Sequence, residues 1–255
     1  MEIRRLNMDN SWHIKFGEKS ILIDPWLKGV EIDFFSWFNM QWHRTPPMSP
    51  QSIPHYDLVI ITQKYPDHFH EETLLELQPD CLIVPKSIHK RVSQLLPNSQ
   101  VRHHLEDVSD IIGHELNLKH LPSKRHIDPI YDALVLDDGK ESILLATHGY
   151  AEADQWKQNL QDIPPIKVAF TPFNLYKLPF FLGGIVSPGI DAVKKLITDF
   201  DPTHIIATHD EDKFAKGLVS KLAKITLSPP ANELVKNELF KERLLTLTSY
   251  EPITI

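Results

Sequence analysis

The segment Thr62-Gln63-Lys64-Tyr65-Pro66-Asp67-His68-Phe69-His70 packs metal-capable side chains into one short stretch. It follows the apolar run Leu58-Val59-Ile60-Ile61, which reads as a buried β-strand, and it precedes a helical pattern beginning at Glu71. The segment is therefore a strand-to-helix loop, where α/β proteins place their chemistry. Two later histidines also sit at the ends of strand-like runs: His148 after Ser142-Ile143-Leu144-Leu145-Ala146, and His209 after Thr203-His204-Ile205-Ile206-Ala207-Thr208. Asp67, His68, His148 and His209 together offer three imidazoles and one carboxylate, a donor set that a zinc or iron ion accepts. Such an ion polarises a carbonyl or phosphoryl oxygen and lowers the pKa of bound water toward about 7. The expected reaction is hydrolysis by metal-bound hydroxide.

Positioning these groups requires strands that end where the ligands begin. Glu2 to Leu6, Trp12 to Phe16 and Ile21 to Asp24 read as an antiparallel start, with a turn at Gly17-Glu18-Lys19-Ser20. Residues 26–56 form a long connection that holds Phe34-Phe35-Ser36-Trp37-Phe38 and four prolines, Pro46, Pro47, Pro50 and Pro54. A connection of this length marks a candidate lid, its aromatics either plugging the core or forming an apolar wall or lipid-facing patch. Helix is expected over Glu71 to Leu77, strand over Cys81 to Val84 and helix over Ser87 to Leu96. Ala133 to Asp137 and Ser142 to Ala146 read as a hairpin about the turn Asp138-Gly139-Lys140, Asp-Gly being the favoured two-residue turn. Then come helix from Ala153 to Leu160, strand from Val168 to Phe170, helix from Ile190 to Phe200, strand from Thr203 to Thr208 and helix from Phe214 to Leu222. The alternation predicts an α/β (α+β) fold, a four-layer αββα sandwich of two mixed β-sheets flanked by helices, in a single domain spanning 1–255.

Composition narrows the function. With 255 residues and 42% hydrophobic content the chain can bury a large core. A net charge of -7 with 27 scattered basic residues gives no phosphate-backbone track, so no nucleic acid partner is expected. A single cysteine, Cys81, leaves no internal disulfide and no cysteine-rich zinc site, and its apolar surroundings read as core. Met1-Glu2-Ile3-Arg4-Arg5 carries no apolar stretch of signal length, and no run approaches the roughly 20 residues of a transmembrane segment. The expectation is a cytoplasmic protein, compatible with homo-oligomers.

Aligned on Asp67-His68, the loop resembles the signature His-x-His-x-Asp-His of the metallo-β-lactamase superfamily, with Gln63 and Tyr65 in place of the first two histidines. The start, Leu22-Ile23-Asp24-Pro25, is similar to the way such domains begin, and His209 matches the family's final histidine ligand. His148 falls where the family carries its bridging aspartate. His126 lies in the region of the third histidine. The resemblance implies that the second metal position is kept while the first is altered or lost. Gln63 and Tyr65 are poorer zinc ligands than imidazole, and an imidazole at 148 cannot bridge two cations as a carboxylate does.

One ion is therefore expected, Zn2+ first, with Fe or Mn as alternatives, held by Asp67, His68, His148 and His209. Asp67 is also the candidate general base, and Tyr65 and His126 are candidate donors to a developing oxyanion. The features look most like the lactonase and N-acylphospholipid-hydrolase side of the superfamily. They imply a small-molecule or lipid-like substrate with an ester, lactone, phosphoester or amide bond. Asn174 to Gly184 either lines that site or is a buried crossover. His70 reads as a surface residue at the helix start or as a further ligand, and Asp67 has helix capping as its plainer role. A catalytically degenerate binding protein and an iron-dependent oxidoreductase are the alternative functions.

Overall fold

The computed structural model describes residues 1–105, 116–122, 130–150, 153–210 and 213–255. They divide into two compact units, one of Met1–Val108, Glu211–Lys221 and Leu247–Ile255, the other of Ser109–Asp210 and Leu222–Thr246. Each is built on one large mixed sheet with helices, so the α/β class expected from the alternation is the class observed.

In the first unit, a seven-stranded sheet runs in the order Ile253–Thr254, Glu2–Arg5, Trp12–Phe16, Lys19–Ile23, Leu58–Ile60, Cys81–Val84, Gln100–His104. The first four strands pair antiparallel, and the turn between Phe16 and Lys19 has only two residues, which Gly17 makes feasible at φ 57°. From Lys19–Ile23 onward the pairing is parallel. Leu58–Ile60 and Cys81–Val84 are buried at every position, as parallel strands covered on both faces must be. Helices Glu71–Leu77 and His89–Leu95 supply the crossovers and pack Leu74 and Val92 against Leu22, Val59 and Leu82. Each such fully buried aliphatic side chain contributes about 1.5–3 kcal/mol. Cys81 is buried, as its apolar surroundings suggested.

Much of the long connection after residue 26 is ordered by pairing. Glu31–Asp33 and Phe214–Lys216 flank Asn39–Trp42 in a three-stranded antiparallel sheet. The helix expected over Phe214 to Leu222 is thus a strand followed by a short helix, Leu218–Leu222. Gly217 enforces the break: its φ is 111°, and a Cβ there would lie 2.6 Å from the Phe38 carbonyl oxygen. The aromatics do not plug the core. Phe34, Phe35 and Trp37 are 81%, 60% and 65% exposed.

The second unit carries a six-stranded sheet in the order Leu244–Leu245, His204–Thr208, Ile166–Pro172, Ser142–Leu145, Ala133–Asp137, Asn117–Leu121. The hairpin is present, but Asp137 pairs with Ser142, so its loop has four residues rather than the two of an Asp-Gly turn. Asp138 Oδ1 closes it by accepting from the Lys140 and Glu141 amides. Helix Ile190–Phe200 turns Val193, Leu196 and Ile197 into a core that includes Leu144, Trp156, Ala169 and Ile205. Asn174 to Gly184 is no buried crossover, since Phe180 and Phe181 are 96% and 78% exposed. Among the described residues, no helix is long and apolar enough to cross a membrane.

Candidate metal centre

In the first unit the site begins where the strand Lys19–Ile23 stops. The Asp24 amide continues the ladder by donating to the Ile60 carbonyl at 3.0 Å, and its φ of 45° then turns the chain. Aspartate tolerates this left-handed conformation better than most residues, and here it aims a fully buried carboxylate across the sheet end. Oδ1 accepts from the Thr62 amide at 2.6 Å. Oδ2 accepts from Thr62 Oγ1 at 2.5 Å, from Asn10 Nδ2 at 3.1 Å and from His68 Nδ1 at 2.7 Å. Because an ionised carboxylate only accepts, His68 carries its proton on Nδ1, and Nε2 is the nitrogen turned toward Asp67 Oδ2, 3.7 Å away. A carboxylate holding one ring nitrogen while the other is presented is how metal-binding histidines are oriented.

Local sequence explains the pose. Residues 65–69 form a tight turn in which the His68 and Phe69 amides both donate to the Tyr65 carbonyl. Phe69 is buried in the apolar core of this unit and pins the turn. His70 is a buried cap: its Nδ1 accepts from the Thr73 amide at the start of helix Glu71–Leu77. That corrects the surface reading of His70 and removes the capping role from Asp67. Burial alone would lower the His68 pKa, but Asp67 and Asp24 outweigh it and raise it to about 9. Cation binding at Nε2 must therefore expel a proton.

Beneath Asp24 lies a polar loop that looks solvent-facing in the sequence. Asn7, Asp9, Asn10 and Ser11 are all buried. Asn7 Oδ1 accepts from the Asp9 and Ser11 amides, and Ser11 Oγ donates to the Asp24 carbonyl at 2.6 Å. Asp9 in turn accepts from Lys213 Nζ at 2.7 Å, and one of its oxygens lies within 4.8 Å of an Asp67 oxygen. Glu31 is 2% exposed, and burial, then Asp67, push its carboxyl well above the usual carboxylate range. Asp9, Glu31 and Lys213 escaped the sequence reading, as did the orienting role of Asp24; only the acid that ends an apolar strand before Pro25 gave a signal.

In the second unit, Ser142–Leu145, Ile166–Pro172 and His204–Thr208 are parallel neighbours, and His148 and His209 follow their C-terminal ends. This is the edge at which open α/β sheets bind ligands. The chain reverses after His148 through Gly149, at φ 102°, where a Cβ would meet Pro188 Cδ at 2.5 Å. Thr208 Oγ1 donates to the Thr147 carbonyl at 3.3 Å and ties the two loops together. His209 has a φ of 48°, a second non-glycine residue held left-handed at a strand end. The rings of His148 and His209 stack with centroids 4.9 Å apart and a 20° interplanar angle, and a nitrogen of each lies within 4.8 Å of the other. Ligands of one ion at about 2.1 Å stand at most about 4.2 Å apart, so small ring rotations suffice to share one.

Each unit thus presents two donors suited to a divalent ion. Of the other expected residues, Gln63 is buried, Tyr65 is half-buried with Lys64 Nζ 5.3 Å from its ring centre, and His126 lies outside the described residues.

Residues 7–172 match the family described as Beta-lactamase superfamily domain, and the chain belongs to that family. Its fold is similar to that of isothiocyanate hydrolase from Delia radicum gut bacteria, at 15% identity and a TM-score of 0.68 over 100% of this chain and 99% of that one. A possible metal-dependent hydrolase from Veillonella parvula DSM 2008 superposes with a TM-score of 0.72 at 14% identity, over 100% and 99% of the two chains. CmlA, a diiron β-hydroxylase from Streptomyces venezuelae, matches 82% of this chain with 44% of its own, at 14% identity and a TM-score of 0.60. No curated protein matches the sequence.

Proposed function

We propose that this protein is a metal-dependent hydrolase that cleaves an ester, lactone, phosphoester or amide bond of a small molecule or lipid. The observation that carries the reading is the Asp24–His68 pair. Two buried charged groups add little net stability, because desolvation offsets their attraction. A fully buried carboxylate that accepts from Thr62, Asn10 and His68 is better explained by the need to aim one imidazole.

In this reading one ion, Zn2+ first and Fe or Mn as alternatives, takes Asp67, His68, His148 and His209 as its ligands. When bound, it supplies Lewis acidity toward water and toward the scissile carbonyl or phosphoryl group. Asp24 keeps the Nδ1 proton of His68, so that Nε2 is the donor. Asp67 receives the proton of the attacking water and passes it to the leaving group. Tyr65 donates to the oxygen on which charge accumulates.

The test is turnover of a panel of aryl esters, lactones, phosphodiesters and acyl amides by chelator-treated protein before and after adding back each metal. Restored hydrolysis of one bond class supports the proposal; no turnover with any metal sinks it. The fold shared with a diiron β-hydroxylase favours one second reading, iron-dependent oxidation, which predicts bound iron and substrate-dependent oxygen uptake.

A further inference from the structure

In the second unit the strands Leu175–Lys177, Ile185–Pro188 and Lys224–Thr226 form a small antiparallel sheet that has no part in the hydrolytic scheme. The tip of its first hairpin carries Phe180 and Phe181, which face solvent, and Ile185, Ile225 and Leu227 are exposed as well. Hydrogen bonds hold the tip in place. The Leu178 amide donates to the Gly184 carbonyl at 2.7 Å and closes the loop, and inside it the Leu182 amide donates to the Pro179 carbonyl at 2.8 Å. Two side chains fasten the sheet to its unit: the Tyr131 hydroxyl donates to the Ile185 carbonyl at 2.6 Å, and Asn174 Oδ1 accepts from the Ser228 amide at 2.9 Å. Two large rings thus stand in water on a fixed scaffold, a hydrophobic cost that folding does not require.

Charge points to the occupant. Over residues 174–189 and 222–232 the only charged side chains are Lys177 and Lys224, although the whole chain carries 34 acids and a net charge of -7. Lys177 and Lys224 are direct cross-strand partners, so both side chains leave the sheet on one face. Ile185 pairs with Lys177 from the other side, and that face reads Ile185, Lys177, Lys224 across the three strands. Both lysines are exposed, and neither has a carboxylate partner among the described residues. Like charges placed opposite each other destabilise a sheet, and an anionic partner removes that repulsion. Lys177 ends the strand that enters the tip, which sets the two lysines at its base. The exposed aromatics of the first unit, Phe34, Phe35 and Trp37, follow directly on Asp33 and lack this charge pattern.

We propose that this sheet is a docking surface for an anionic phospholipid bilayer, Phe180 and Phe181 entering the acyl boundary while Lys177 and Lys224 meet headgroup phosphates. Burial of the rings and attraction to anionic lipid add, so an apolar wedge with a cationic collar binds where either alone is marginal. A projecting tip needs a matching groove in a protein partner but no counterpart in fluid acyl chains. The inference is independent of the metal-centre reading and of any turnover.

The test is co-sedimentation of the full chain with vesicles of phosphatidylcholine alone and of equal parts phosphatidylcholine and phosphatidylserine. Wild type is expected on the mixed vesicles, not on phosphatidylcholine alone, and is expected to be released as salt rises. Phe180→Ala combined with Phe181→Ala should weaken binding at least about tenfold. Lys177→Gln combined with Lys224→Gln should weaken it about 10–30-fold. All four side chains are exposed, so both double variants keep the fold. Wild type absent from the mixed vesicles, equal binding to both compositions, or either double variant binding like wild type overturns the proposal. A wild-type dimer that Phe180→Ala with Phe181→Ala converts to monomer in light scattering overturns it too, because a second copy then covers the surface.

Discussion

The two strand-end sites hold their imidazoles by different means. In the first unit, His68 is fixed by side chains: the Asp24 carboxylate and the Thr62 hydroxyl meet its Nδ1, and Asn10 from a third segment holds that carboxylate. In the second, His148 and His209 are placed by backbone: a glycine reversal, a left-handed residue, a threonine tie between loops and a ring stack. A ligand held by a carboxylate gains basicity as well as direction. Ligands placed by the path of the chain are sensitive to any change in that path.

That contrast can be broken from either side. The largest effect is expected from Asp24→Ala, which strands an imidazole and two threonine donors in the core. It should cost about 3–5 kcal/mol of unfolding free energy in a denaturant titration and weaken metal binding by about 10–100-fold. A stability equal to wild type would show that Asp24 orients nothing. Gly149→Ala attacks the backbone-held half. A side chain at φ 102° against Pro188 should cost at least about 1–3 kcal/mol, read as a lowered melting temperature with metal affinity falling in parallel. His70→Ala removes the helix cap together with the buried ring's hydrogen bond to the Val30 backbone, and should cost at least about 0.5–2 kcal/mol while leaving the number of bound ions unchanged.

The smallest effect is one of pH and lies away from the site. His13 is fully buried with Nε2 2.7 Å from Ser20 Oγ, and burial lowers its pKa below 6.5. The unfolded chain then binds a proton that the native state refuses. Stability is complete above pH 6.5 and declines as pH falls from there through the lowered native value. His13→Gln should flatten that part of the stability profile, and an unchanged slope would assign it to other groups.

Buried parallel strands such as Leu58–Ile60 and Cys81–Val84 could be read from sequence because both faces are covered and the apolar run is unbroken. Asp67-His68 was readable for a related reason: it stands in the loop such a strand feeds. The supporting residues were not. Asn7, Asp9, Asn10 and Ser11 have the composition of a solvated turn, and only their packing under Asp24 and Trp26 makes them interior. Lys213 ends the charged run 210–213, which reads as surface until Phe214–Lys216 pairs with Asn39–Trp42. For Phe34, Phe35 and Trp37 the sequence left open a core plug or an outward apolar wall, and only the pairing of Glu31–Asp33 with Asn39–Trp42 decides against the core.

The central claim is that Asp67, His68, His148 and His209 serve one ion. Its most direct test is the metal content of protein purified without added metal, measured for wild type, His68→Ala and His209→Ala side by side. One ion per chain in the wild type, lost in both variants, is the result predicted. Metal-free wild type, or a bound ion indifferent to either substitution, would contradict it.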